Sequence, residues 1–92
     1  MERATAQHTV PLSGRDRAIL RAVVAGNAEL AWGAEPDLLL DGRYCCDQPA
    51  AHRLARAGLI APATVCAAGQ RVAATVTPAG LRELAAATPL AA

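Results

Sequence analysis

The chain has no lysine and no phenylalanine, one serine (Ser13), and a single tryptophan and tyrosine, Trp32 and Tyr44. Each shortage closes something off. With His8 and His52 as the only histidines, no nucleophile and base come with a third group to orient them, and a Cys46–His52 couple lacks that group too. There is no glycine-rich phosphate loop and no pair of carboxylates in a setting that would shift their titration, so the chain reads as non-enzymatic. Cysteine is scarce: Cys45, Cys46 and Cys66 have no second Cys-x-x-Cys and no histidine pair beside them. Cys45, Cys46, Asp47 and His52 fall short of a zinc set, because adjacent cysteines in extended chain point to opposite faces. Neither metal nor cofactor is expected. Reduced thiols fit three cysteines in a cytoplasmic chain, with one of the adjacent pair packing as a small apolar residue. No apolar run is long enough to cross a bilayer, and the N-terminus, with Glu2, Arg3 and His8, lacks the apolar stretch of a signal peptide. A soluble, cytoplasmic protein without a membrane partner is expected.

Net charge is also small, +1 over 92 residues, but it is unevenly placed. Residues 27–42 hold Glu29, Glu35, Asp37 and Asp41 and no arginine, whereas residues 43–58 hold Arg43, Arg53 and Arg56 against Asp47 alone. All positive side chains are arginine, whose planar fork suits phosphate and guanine. Weak overall charge implies modest affinity for nucleic acid, since each phosphate contact works through counterion release. The acidic segment would repel a phosphate backbone if it faced the same way as the basic one. The length makes one domain with a small core, a size at which pairing with a second copy helps, so a homodimer is expected.

The sharpest local signal is Asp47-Gln-Pro-Ala-Ala-His-Arg-Leu-Ala-Arg-Ala-Gly-Leu-Ile60. Asp47 can accept from the orphan amides of a first helical turn, and Pro49 sits where a missing N–H costs nothing. Gly58 falls where a left-handed residue ends a helix, with Leu59 placed to meet Leu54 in a Schellman ending. A helix over about 48–57 follows. Ala51, Leu54 and Ala55 form its apolar stripe, and Gln48, His52, Arg53 and Arg56 recur at spacings of three and four off that stripe. A solvated helix face would look the same, so the elements that follow carry weight.

Those elements are Ala63-Thr-Val-Cys66 and Arg71-Val-Ala-Ala-Thr-Val76, two β-branched runs around a glycine-containing break, which predict a hairpin. Thr77-Pro78 then caps a last helix with Leu81, Leu84 and Ala85 as its apolar stripe. Upstream, Ser13 and Asp16 form a capping box before Ile19, Leu20, Val23 and Val24, an apolar surface that leaves Arg15, Arg17 and Arg21 outside it, and Gly26-Asn27 ends that helix. Residues 28–46 are ambiguous. Pro36-Asp37 could open a helical turn through Leu38–Leu40 that ends at Gly42. Alternatively, the leucines form a strand, Asp41-Gly42 a tight turn and Arg43-Tyr44-Cys45 a return, with Glu29 to Trp32 as a partner strand, and the strand reading is preferred.

In order, these residues resemble the winged helix-turn-helix family of bacterial transcription regulators. The matching stretches are His52-Arg-Leu-Ala-Arg-Ala-Gly-Leu-Ile60, the wing candidate 63–76 and Val76-Thr-Pro-Ala-Gly-Leu81, about half the chain. The resemblance implies a small α+β winged helix-turn-helix domain of about three helices and a C-terminal β-hairpin wing, with an extra hairpin or short helix within 28–46. The chain's own ends bound the domain at 12–88, between a flexible arm up to Pro11 (1–11) and a tail after Thr88-Pro89 (89–92). The resemblance further implies a transcription regulator that reads double-stranded DNA with the 47–58 helix. Gln48, His52, Arg53 and Arg56 would face the groove, and Arg43 and Arg71 would be further contacts. Should 36–42 be a strand, the family's supporting helix is shortened or replaced. An alternative is a winged-helix interaction module that binds a protein partner through the acidic segment 29–41 and Trp32.

Overall fold

The computed structural model describes residues 12–86; the 1–11 arm and the 89–92 tail lie outside them. Eight elements follow one another: α1 (Gly14–Ala25), β1 (Ala28–Ala31), β2 (Asp37–Leu40), β3 (Arg43–Tyr44), α2 (Gln48–Arg56), β4 (Ile60–Pro62), β5 (Arg71–Val76) and α3 (Pro78–Ala86). The strands form one antiparallel sheet in the order β3-β2-β1-β5-β4. The three helices and this sheet make a small α+β fold.

The capping residues act as their sequence suggests. Ser13 Oγ accepts from the Asp16 amide while Asp16 Oδ2 accepts from the Ser13 amide, and α1 ends at Gly26 with φ 109°. Asp47 Oδ1 accepts from the Ala50 amide at the start of α2. At its end, Leu59 N–H donates to the Leu54 carbonyl and Gly58 N–H to that of Ala55, each at 3.0 Å. Together they form the Schellman pair, with Gly58 at φ 77°.

Residues 36–42 are strand and turn, not helix. Ala28 to Ala31 pair with Leu40 to Asp37, and Asp41 (φ 54°) and Gly42 (φ 80°) turn the chain back into β3. Both turn residues have positive φ, as a two-residue hairpin turn of type I′ requires. The hairpin expected at 63–76 differs from expectation in its first strand. Its first strand is Ile60–Pro62, not 63–66, and only the Ala63 amide, donating to the Ala73 carbonyl at 2.8 Å, extends it. Pro62 is tolerated because β4 is the edge strand, where a missing N–H leaves no ladder bond unmade. Residues 64–70 form the connecting loop, with Val65 fully exposed.

The clustered core lies on one sheet face, while Leu39, also fully buried, alternates with Leu38 onto the other. Ile19, Leu20 and Val23 of α1 and Ala50, Ala51 and Leu54 of α2 pack on Ala28, Leu30, Leu38, Ile60 and Val76. Cys45 packs at its margin while Cys46 is exposed. Two expected core residues are half-exposed, Val24 (55%) and Leu81 (50%). The reason for Leu81 is that α3 meets the core through Ala79, Gly80 and Leu84. Gly80 lies so close to Leu59 and Val76 that a Cβ there would stand 2.2 Å from the Leu59 carbonyl oxygen and 2.6 Å from Val76 Cγ1.

Thr77 locks that junction. Its hydroxyl donates to the Gly58 carbonyl at 2.7 Å and accepts from the Gly80 amide at 3.0 Å, while its own amide donates to the Leu59 carbonyl. The two phrases of the sequence, Ala57-Gly-Leu59 and Thr77-Pro-Ala-Gly80, are therefore two halves of one contact. It fixes the end of α2 against the start of α3.

Candidate nucleic-acid interface and the adjoining cleft

The polar residues of α2 do not all face solvent. Gln48, its first residue, turns back onto β2: Oε1 accepts from the Leu38 amide at 2.9 Å, and Nε2 donates to the carbonyls of Leu38 (2.9 Å) and Cys45 (2.8 Å). Its side-chain amide continues the β2 ladder where β3 is not yet paired. One turn on, His52 Nε2 donates to Asp37 Oδ1 at 2.9 Å, and its Nδ1 lies 3.6 Å from Glu35 Oε1. Another turn on, Arg56 Nη1 lies 3.7 Å from Glu35 Oε2. The spacing of four that groups Gln48, His52 and Arg56 thus aligns them along β2 and the β1–β2 loop.

Arg53 faces the other way, toward α1, where Nη2 donates to Asp16 Oδ1 at 3.1 Å. Asp16 is the one buried charged residue among those described. Its carboxylate thereby serves both the α1 capping box and the α1–α2 contact. Beside it, Arg15 Nη1 approaches Asp47 Oδ2 at 3.4 Å, linking the first turns of the two helices. The exposed ridge of α2 is Pro49, Arg53, Arg56 and Ala57, with the two arginine side chains 58% and 62% exposed.

The remaining candidates lie elsewhere. Arg71, at the start of β5, pairs with Glu29 at 3.3 Å; the strand register puts both on the sheet face opposite the helices. Arg43 is exposed on β3 at the sheet edge and makes no ion pair among the described residues. The structure therefore brings His52, Arg53 and Arg56 onto one helix, uses Gln48 internally, and leaves Arg43 and Arg71 apart from them.

Glu35 and Asp37 are what the helical pattern did not show. Two of the four carboxylates in the acidic segment turn toward α2 and partly offset its positive charge. The signal was present in their clustering, but its direction depends on the β1–β2 hairpin. That hairpin also builds a cleft of about 250 Å³ against α2, lined in part by Trp32, Glu35, Pro36, Ala55, Arg56 and Ile60. Trp32 is half-buried there, held by backbone bonds to Gln70 and Gly69 at 2.9 Å each.

Among the described residues no group of three or more His, Cys, Asp or Glu side chains is placed to hold a metal ion, and no helix is long and apolar enough to cross a membrane. Compared with family models, curated proteins and solved structures, the chain matches none.

Proposed function

We propose that the chain is a winged-helix DNA-binding regulator, not an enzyme, that presents the outer ridge of α2 to duplex DNA. The observation that carries this reading is the setting of α2. It presents Arg53 and Arg56 outward, and it runs through the Gly58 turn into a hairpin whose second strand pairs with β1. The departure is the β2–β3 hairpin, which occupies the chain between β1 and α2 where a supporting helix was an option.

The carboxylates beside the ridge shape the expected affinity. Exposed ion pairs contribute about 0–1 kcal/mol, so a phosphate can compete for guanidinium donors that a carboxylate only partly occupies. The same carboxylates lower the local positive potential, so one copy binds weakly and two copies bound together bind usefully. Arg53 and Arg56 are the proposed groove-side contacts, with Arg43 as a separate phosphate contact; Gln48 and His52 are left out, the first because its amide is already used on β2 and the second because its ring is turned onto Asp37 and Glu35.

Arg53→Ala combined with Arg56→Ala is expected to weaken binding to duplex DNA by about tenfold or more at low salt. Because Arg53 also holds Asp16, the urea midpoint of each variant is measured alongside, and Arg56→Ala alone supplies a case free of that contact. Unchanged DNA affinity in the double variant removes the reading.

One observation favours a second reading. Glu35, Asp37 and the Trp32 cleft lie together on one side of α2, which suits a protein-interaction module docking on the acidic segment. Failure to bind duplex DNA even at low salt would favour it.

A further inference from the structure

Glu35 and Arg56 face each other at the rim of the cleft at 3.7 Å, a separation that leaves the pair without a direct hydrogen bond. Neither side chain makes a hydrogen bond to any described residue, and each is about three-fifths exposed, 61% and 62%. Behind them the walls are mostly apolar, the Trp32 indole, Pro36, Ala55 and Ile60, with the His52 ring as the polar exception, its Nδ1 3.6 Å from the Glu35 carboxylate. A carboxylate and a guanidinium side by side, each with unused hydrogen-bonding capacity, form a charge dipole above a mostly apolar recess.

We propose that this cleft binds a free α-amino acid with an apolar side chain. The zwitterion supplies the antiparallel dipole: its ammonium donates to Glu35 and its carboxylate accepts from the Arg56 fork, with both bonds charge-assisted. Its side chain enters the recess against Trp32. The volume of about 250 Å³ is just below the range of pockets that take drug-sized molecules, which suits a leucine- or phenylalanine-sized body. A ligand with one charge meets a like charge as well as an opposite one at this rim, so both charges are needed. Asp37 is not part of the cleft lining, being held at 2.9 Å by His52 on the far side of that ring.

The test uses the whole chain and no DNA, so its outcome is separate from that of the DNA-binding reading. Trp32 is the only tryptophan, and its fluorescence reports the cleft directly. L-Leucine and L-phenylalanine are titrated in parallel with leucinamide and phenylalaninamide (ammonium only), isocaproate and hydrocinnamate (carboxylate only) and glycine (no side chain). Calorimetry reads the same titrations in case the indole signal does not change. Saturable binding of both amino acids is expected at about millimolar dissociation constants, the affinity accessible to so few atoms. The one-charge analogues and glycine are expected to bind about tenfold more weakly or worse. Glu35→Gln and Arg56→Gln should each cause a similar loss with the circular dichroism spectrum retained. Absence of saturable binding by both readouts overturns the proposal, as does equal affinity for the one-charge analogues.

Discussion

Gly80→Ala is expected to destabilise the fold by about 3 kcal/mol, the upper part of the usual range for an overpacked core. In a domain of this size that lowers the melting temperature by on the order of 15 °C. The added methyl would stand 2.2 Å from a backbone oxygen, Leu59 O, which cannot rotate away as a flexible side-chain end could. Relief requires α3 to lift off Leu59 and Val76, and that movement breaks the Thr77 hydroxyl bridge between Gly58 and Gly80. Helix propensity pulls the other way, since alanine is favoured over glycine inside a helix by about 1 kcal/mol. Stability equal to or above wild type would therefore show that propensity outweighs the close contact and that α3 is not seated as described. Gly33→Ala is the matched control: a Cβ there meets nothing within 4 Å and its φ is not in the left-handed region. That substitution should leave the melting temperature nearly unchanged.

The second large effect concerns Gln48. Removing its amide with Gln48→Ala leaves the Leu38 N–H without its partner on a strand residue that is fully buried, at an expected cost of about 2 kcal/mol. The Leu38 carbonyl still accepts from the Cys45 amide at 2.9 Å, whereas the carbonyl of the half-buried Cys45 loses its Gln48 donor, so the loss falls on the buried Leu38 donor first and on Cys45 second. Gln48→Glu should fare no better, because a carboxylate can accept from Leu38 N–H but then places its second oxygen against the Leu38 and Cys45 carbonyls. Urea denaturation of both variants gives the answer. A wild-type midpoint for Gln48→Ala would mean that the side chain is free, and Gln48 would return to the set of groove-facing residues.

Gln48 also shows where sequence stops informing. Caps and turns are local, so Ser13 with Asp16, Asp47 with Ala50, Gly58 with Leu54 and the Asp41-Gly42 turn could be read from neighbours within a few residues. Periodicity likewise separated the buried Ala51 and Leu54 from the polar side of α2. What it could not reveal is what the polar side meets. The partners of Gln48, His52 and Arg53 are 10, 15 and 37 residues away, at Leu38, Asp37 and Asp16, and only the folded hairpin and the α1–α2 contact bring them close. The same limit explains Gly80. It reads as an indifferent residue near the start of a helix until the chain end of α2 is laid against it. The first strand of the second hairpin was displaced by a related ambiguity, since the β-branched Thr64 and Val65 have strand character but Ile60 is the residue the core buries.

The candidate site is accordingly narrower than the pattern on α2. Two arginines on its ridge are exposed, their charge is partly offset by Asp16 and Glu35, and the cleft behind Glu35 is a separate feature that no spacing rule pointed to. These facts make DNA affinity the quantity on which the functional account turns.

Fluorescence anisotropy of the wild-type chain against a labelled random-sequence duplex, titrated from low to physiological salt, measures it most directly. The account predicts weak binding that falls with salt at a log–log slope of roughly −2 to −4, corresponding to a few phosphate contacts per bound unit. No binding at the lowest salt, or binding indifferent to salt, would contradict an arginine ridge that holds DNA.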